Sequence, residues 1–267
     1  LDWAGADVLV SGDVAVALAE SIATMVRASS DHSSSSPIFA EREPGRGRNA
    51  HDSNDAFVRR LDQHHIAIQV RRRLNAKVAV HVPDSRGYDL ILHRLLDAID
   101  SAQISVDIRS CYVVLCRPLQ RALIRAMRER NVTVRVLSNS FDTNDLLFIH
   151  ASMVGSLEAI TKEGAQVFLT RRHMDHTKFV LIDRRNLCVG SWNVWLRTHF
   201  YEAELNIFVE DATLGERIAS DEFDRLVSNR AVLDGDVERY SASMLRTEAK
   251  RASIEASEPD SFHEMFT

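Results

Sequence analysis

The sequence is poor in cysteine, in net positive charge and in long apolar runs, and each shortage excludes a class of protein. Its 267 residues include only three cysteines, which lie in apolar, strand-like segments: Cys111, Cys116 and Cys188. An odd number of cysteines in such surroundings predicts buried thiols in a reducing compartment rather than a disulfide framework. The formal net charge of -5 argues against a surface built for non-specific nucleic-acid binding, although it leaves room for a local basic pocket.

The chain also lacks an apolar run of the roughly 18 residues needed to cross a bilayer. Its opening stretch, LDWAGADVLV, carries acids and no basic region of the kind that begins a signal peptide. These absences predict a cytoplasmic protein or one bound peripherally to a membrane. The first residue is Leu1 rather than Met, so the chain is either processed or a piece of something longer.

The remaining composition divides the chain into four segments. Residues 1–27 are typical of a short strand followed by an amphipathic helix. Residues 28–74 are rich in Ser, Gly, Pro and charge, which predicts a linker that continues into an irregular basic segment. Residues 75–230 carry regular apolar patterns, and residues 231–267 are polar, which predicts a helical tail with a loose end.

Within the third segment, predicted helices and strands alternate. The helices cover 90–102, 118–131, 145–164 and 213–227, and the strands cover 104–114, 132–140, 165–170, 178–183, 187–190 and 204–209. Strands that are apolar along nearly their whole length, alternating with helices, indicate an α/β sheet with helices on both faces. The order DVLV-then-helix in residues 7–27 repeats as NIFV-then-helix in residues 206–227, as expected if residues 1–27 end an earlier copy of the same unit.

One pattern in this region points to chemistry, H-x-K-x4-D-x6-G-S-x-N, which begins at His176. Residues i and i+2 of a strand share a face, so His176 and Lys178 are predicted to project together, and so are Ser191 and Asn193. Two adjacent strands would then present an imidazole, an ammonium, a hydroxyl and an amide to one pocket. That set suits a phosphoryl group, because it supplies cationic and neutral donors for the oxygens together with a nucleophile.

The neighbours of this pattern have plainer interpretations. Asp183 ends a predicted strand and is expected to be structural or to balance charge rather than to touch a phosphate. Asp175 precedes the histidine and is expected to raise the pKa of His176. His173, Asp175 and His176 raise the question of a metal site, but zinc requires three or four ligands and no further Cys or His lies nearby in sequence, so neither a metal nor a cofactor is expected.

The tryptophans beside the pattern have two interpretations. Trp192 and Trp195 could meet an acyl chain or a membrane interface. We favour the other interpretation, in which Trp192 packs in the core and Trp195 is partly exposed. His199 is expected to be a solvated loop histidine.

The pattern as a whole resembles the signature of the phospholipase D superfamily. The flanking segments LLDAIDSAQISVDIRSCYVV, RNVTVRVLSNSFDTND and YEAELNIFVED also resemble that family, so the likeness covers residues 88–230. Residues 1–27 resemble the segment that follows the first motif in two-motif members of the bacterial cardiolipin synthase kind. The tyrosine-proline pair common after the family's first strand appears here as Cys111-Tyr112-Val113.

This resemblance implies a metal-independent phosphodiester exchange through a phosphohistidine. His176 would be the catalytic histidine and Lys178 the phosphate clamp, while Ser191 and Asn193 would help to hold the oxygens. Asp183 would complete the motif. Glu204 would be the acidic residue after it and would orient a histidine.

The family chemistry requires two motifs, and this chain has one. None of its other histidines, out of 11 in all, has a lysine two residues later. The second motif must therefore come from a homodimer mate or from an upstream half of a longer chain. Three functions stay open. The flanking segments favour hydrolysis or phosphatidyl transfer on phospholipids. The alternatives are a homodimeric nuclease or phosphodiesterase, against which the acidic net charge argues, and an incomplete half with a structural or lipid-binding role.

Overall fold

The computed structural model of this chain describes residues 3–4, 75–81, 89–228 and 235–255. The predicted linker at 28–74, and residues 1–27 apart from 3–4, lie outside the described residues.

Ten strands are described, and eight of them form one mixed sheet. In chain order they are β1 (Trp3–Ala4), β2 (Asn75–His81), β3 (Ser105–Ser110), β4 (Thr133–Asn139), β5 (Gln166–Thr170), β6 (Met174–Asp175), β7 (Lys178–Ile182), β8 (Asn186–Gly190), β9 (Glu204–Glu210) and β10 (Val237–Tyr240). The sheet order is β10-β5-β4-β3-β7-β8-β9-β2, and β1 pairs separately with β6. Strands β3, β4 and β5 run parallel, whereas each of the other neighbouring pairs in the sheet is antiparallel.

Helices cover both faces of this sheet. They are α1 (Leu90–Ser101), α2 (Arg117–Arg130), α3 (Leu147–Thr161), α4 (Leu196–Tyr201), α5 (Ala212–Ile218) and α6 (Ala242–Glu255). One buried cluster joins α1, α2, α3 and α6 to strand residues such as Val106 and Val136. A second joins Leu214 of α5 and Phe223 to Phe179 and Leu137. The predicted α/β class with helices on both faces is therefore confirmed.

The boundaries differ from prediction at the edges of the sheet. The strand predicted to reach residue 114 ends at Ser110. Strand β2 was not predicted, and β10 lies in the segment predicted as a helical tail. Both are outer strands of the sheet, and each is only partly buried, so neither has the fully apolar pattern of the inner strands.

The antiparallel register of β3 and β7 positions the predicted motif. Val106 lies opposite Ile182 at one end of the pair, and Ser110 lies opposite Lys178 at the other. The amino end of β7 therefore meets the carboxyl end of β3, where the chain turns from Ser110 into Cys111.

Strand β8 approaches β9 so closely at Gly190 that no side chain fits there. Gly190 lies opposite Asn206, and a Cβ built on it would sit 2.2 Å from the Leu205 carbonyl oxygen and 2.5 Å from Asn206 Oδ1. The glycine of the G-S-x-N sequence is thus a packing requirement, since it lets the following turn lie against β9.

We expect Gly190→Ala to lower the free energy of unfolding by about 1–3 kcal/mol, because the methyl group would force β8 away from β9. The matched control is Gly155→Ala in α3, where a Cβ meets nothing within 4 Å; alanine there should raise stability by up to about 1 kcal/mol. Urea denaturation followed by circular dichroism measures both. Equal stability of the Gly190 variant and the parent would contradict the close approach.

Candidate active site

His176 and Lys178 make contact at the point where the chain enters β7. Strand β6 ends at Asp175 and β7 begins at Lys178. His176 therefore lies in the short break between the two strands, whereas the prediction placed it in the same strand as Lys178. Thr177 is buried, while the other two side chains are half-buried. Lys178 Nζ donates to the His176 carbonyl oxygen at 2.9 Å and lies 3.2 Å from the imidazole Nδ1. The two functional groups therefore share one side of the chain, as expected, although the strand starts later.

The surroundings of His176 favour its neutral form. Burial lowers the pKa of His176 and the neighbouring Lys178 ammonium lowers it further, while the Asp145 and Asp175 carboxylates act in the opposite direction with less effect. The pKa therefore lies below the ordinary histidine value of about 6.5, and the imidazole keeps a lone pair at neutral pH. A neutral imidazole is the form that can attack an electrophile.

Asp175 acts to raise the pKa of His176, as predicted, but burial and the Lys178 charge outweigh it, so the net shift is downward. Asp175 is buried and its Oδ2 accepts a hydrogen bond of 2.6 Å from Arg109 Nε, so a guanidinium offsets most of its negative charge. The same arginine donates to the Glu222 carbonyl oxygen at 2.8 Å. The sequence carries a signal for this pair, a charged residue within the apolar strand SVDIRS, but nothing in it names the partner.

Asn139, at the end of β4, fixes the backbone that precedes His176. Its Oδ1 accepts from the Asp175 backbone N–H at 2.7 Å, and its Nδ2 donates to the Asp175 carbonyl oxygen at 3.0 Å. Asn139 is fully buried, and this two-way contact acts like one more strand pairing. Together with Arg109 it holds the approach to His176 in one position, a role that sequence reasoning missed.

The G-S-x-N turn is tied to β9. Ser191 N–H donates to the Leu205 carbonyl oxygen at 3.1 Å, and Leu205 N–H donates to Ser191 Oγ at 3.1 Å. The next backbone N–H, of Trp192, donates to Asn206 Oδ1 at 3.1 Å. Much of the hydrogen-bonding capacity of Ser191 is thus used within the fold, although its side chain remains exposed.

Cys111 sets the orientation of Asn193. Burial raises the pKa of the Cys111 thiol to about 11, even though the Lys178 charge acts to lower it. The thiol is therefore protonated, and it donates to Asn193 Oδ1 at 3.0 Å. Because an amide is planar, the Nδ2 donors of Asn193 then face away from Cys111. This thiol brings the separate predicted residues Lys178 and Asn193 to one location.

Glu204 lies at the start of β9, buried near the same turn. Burial raises its pKa, and the Ser191 hydroxyl and the Lys178 charge partly oppose that shift. Among the described residues, no hydrogen bond or ion pair joins Glu204 to His176. The structure therefore places this predicted orienting carboxylate beside the turn that carries Ser191.

Asp183 has a structural position at the far end of β7. Its backbone φ is 54°, in the left-handed region, and its carboxylate accepts the N–H groups of Gln103 at 3.0 Å, Ile104 at 2.7 Å and Ser105 at 3.0 Å. Asp183 lies five positions after Lys178 along the strand, so a distance of roughly 16 Å separates the two residues. Asp183 thus locks the turn after β7 onto the start of β3 and does not reach the histidine.

The aromatic neighbours of the motif are buried. Trp192 packs in the core, as favoured, and its indole N–H donates to Asp89 Oδ2 at 3.1 Å. Trp195 was expected to be partly exposed, but it is 6% exposed because it stacks on Tyr112 at 4.8 Å. His199 was expected in a solvated loop, but it lies in α4 with its Nδ1 3.2 Å from Asp89 Oδ2.

The three cysteines are free, with Cys111 and Cys188 buried and Cys116 partly so. Within the described ranges, no group of three or more His, Cys, Asp or Glu side chains could hold a metal ion. The same part of the chain contains no helix with the length and apolar character needed to cross a membrane.

Comparison with known proteins identifies relatives of this domain. A family model described as the PLD-like domain of cardiolipin synthase matches residues 95–227. Cardiolipin synthase A of Buchnera aphidicola subsp. Baizongia pistaciae is 28% identical over 131 residues, which cover 49% of this chain and 26% of that protein. Cardiolipin synthase C of Escherichia coli is 25% identical over 152 residues, which cover 50% of this chain and 32% of that protein.

A solved structure shares the fold. Phosphatidylserine synthase of Haemophilus influenzae superimposes with a TM-score of 0.52 at 17% identity, covering 90% of this chain and 60% of that chain. The present chain thus spans 26% to 32% of the length of the two synthases it matches in sequence.

We expect Asp183→Ala to lower the free energy of unfolding by about 2–4 kcal/mol, because three backbone donors lose a charged acceptor and alanine disfavours positive φ. Asp183→Asn keeps one acceptor oxygen and tolerates this backbone conformation, so it should cost less than half as much. Thermal and urea unfolding of both variants test this structural role of the Asp183 carboxylate. Unchanged stability of the alanine variant would contradict it and would return Asp183 to a role in the site.

Proposed function

Because the chain belongs to the phospholipase D superfamily, we propose that it supplies one half of a phosphodiester-transfer site that acts on phospholipids in the manner of a cardiolipin synthase. The observation that carries the proposal is the neutral imidazole of His176 in contact with the Lys178 ammonium, 3.2 Å from Nδ1 to Nζ. The names of the relatives, cardiolipin synthase and phosphatidylserine synthase, support phospholipids as the substrate class.

In the proposed first step, the lone pair of His176 attacks phosphorus. A P–N bond forms while the bond from phosphorus to the leaving alcohol breaks, and the electron pair goes to the alcohol oxygen. That oxygen takes a proton from the histidine of the second motif. The Lys178 ammonium and the Nδ2 donors of Asn193 stabilise the non-bridging oxygens, whose charge increases in the transition state. Water or an alcohol then attacks phosphorus and gives its proton to the second histidine, while the P–N bond breaks and its electron pair returns to His176, which gives hydrolysis or transfer.

Glu204 has a separate assignment in this proposal. It makes no bond to His176 within the described chain, and burial raises its pKa. We assign it to orient the histidine of the second motif, so that each half would hold the imidazole of the other. This assignment rests on the position of Glu204 beside the turn that carries Ser191.

The second motif has two candidate sources. Strand β1 runs parallel to β6, with Trp3 opposite Met174 and Ala4 opposite Asp175. Residues 3–4 therefore lie beside the strand that leads to His176, and a second half on the same polypeptide is one candidate. The alternative is a homodimeric phosphodiesterase in which two copies of His176 meet.

Turnover in the presence of EDTA tests the proposal. The purified protein is incubated with bis(p-nitrophenyl) phosphate and, separately, with phosphatidylglycerol vesicles, while light scattering reports its mass. We expect metal-independent turnover by a dimer, or by the chain joined to an upstream half. His176→Ala should abolish it, and Lys178→Ala should reduce it about 100- to 1,000-fold.

His173→Ala is the matched control, because His173 is an exposed histidine three residues before His176. Its turnover should equal that of the parent. Activity that EDTA removes, or that His176→Ala retains, would contradict the proposed chemistry. Inactivity of both the dimer and the joined protein would favour the incomplete structural half.

A further inference from the structure

The proposed chemistry leaves unexplained one acid that faces the same site, Asp145. It follows β4 by six residues, in the loop that begins at Ser140 next to the fully buried Asn139. Asn139 is bonded to the backbone of Asp175, so this loop starts beside the segment that carries His176. Asp145 accepts a hydrogen bond from Tyr112, the residue after Cys111, and the Cys111 thiol donates to Asn193, so the carboxylate lies close to the site.

Tyr112 fixes the position of Asp145. The phenol donates to Asp145 Oδ1 at 2.5 Å. Tyr112 is itself buried and stacks on Trp195, with 4.8 Å between the ring centroids. Burial and the neighbouring carboxylate raise the pKa of the phenol, so it stays a donor at any physiological pH. An exposed aspartate is thus held by a rigid aromatic pair.

The charge of Asp145 has no cation beside it in the part of the chain that the structure describes. Nowhere in the described ranges does a Lys, Arg or His nitrogen approach this carboxylate within ion-pair distance, and Tyr112 is its hydrogen-bond partner there. The carboxylate is exposed, so its second oxygen can accept from a ligand. A negative charge beside Lys178 and His176 weakens the binding of a phosphate oxygen. It suits instead a neutral hydrogen-bond donor that lies next to the phosphoryl group.

We propose that Asp145, positioned by Tyr112, binds a hydroxyl group of a glycerol-type alcohol that is esterified to, or displaces, the phosphoryl group at His176. This inference rests on the proposed function and specifies its alcohol. The leaving alcohol of the first step and the entering alcohol of the second occupy the same position on phosphorus, so one subsite serves both.

A purely structural role for Asp145 makes a different prediction. The residue lies two positions before Leu147, the first residue of α3, and an acid there stabilises the helix through its dipole. That role would change stability without changing which ligand is preferred. The ratio of the affinities for two ligands, one that carries the alcohol hydroxyl groups and one that lacks them, therefore separates the two roles.

The experiment is a ligand-observed NMR titration of the purified chain with sn-glycerol 3-phosphate and, separately, with inorganic phosphate. For the parent we expect tighter binding of glycerol 3-phosphate. Asp145→Asn should weaken glycerol 3-phosphate about tenfold, the size of one charge-assisted hydrogen bond, while phosphate binding stays equal or improves because a negative charge is removed. Tyr112→Phe should shift the ratio in the same direction by a smaller factor.

Asp142→Asn is the matched control, because Asp142 is an exposed acid of the same loop that pairs with Arg251 at 3.4 Å. It should leave both affinities unchanged. An Asp145 variant that weakens both ligands equally, or neither, would overturn the inference, and so would a parent with no preference for glycerol 3-phosphate. The titration needs no turnover, so a chain that keeps the preference while both its dimer and the joined protein are inactive would contradict the proposed function and still support the alcohol subsite.

Discussion

The antiparallel pairing of β3 with β7 is the constraint on which the site depends, and it is fixed at both ends. At one end the Asp183 carboxylate accepts three backbone N–H groups at the start of β3. At the other end Arg109 of β3 forms a buried ion pair with Asp175, at 2.6 Å. With both ends held, Lys178 stays opposite Ser110, and a slip of one residue would turn every side chain of β7 to the opposite face.

The site that results combines burial with the positive charge of Lys178 beside His176. Lys178 favours the neutral form of His176 and an anion beside it, and Asp175 cannot reverse this because Arg109 offsets its charge. The Cys111 thiol sets the amide of Asn193 without adding a charge. The same logic explains why Asp145 stands out, since no cation among the described residues lies within ion-pair distance of its carboxylate.

Sequence patterns predicted the α/β class, the main helices and strands, and the contact between His176 and Lys178, because apolar periodicity and fixed motif spacing are local features. Patterns could not predict β2 and β10, whose strand character comes from pairing with distant neighbours. They also missed Arg109, Asn139 and Tyr112, whose partners lie far away in sequence. The errors at Trp195 and His199 share this cause, since Tyr112 and Asp89 bury them.

The most direct test of the account is to find the covalent intermediate. The chain, alone as a dimer or joined to an upstream half, is mixed with bis(p-nitrophenyl) phosphate, quenched in alkali to preserve a phosphorus–nitrogen bond, digested and mapped by mass spectrometry. The account predicts a phosphoryl adduct on His176, absent from the His176→Asn variant. Turnover with the adduct on another residue, or with none at His176, would contradict it.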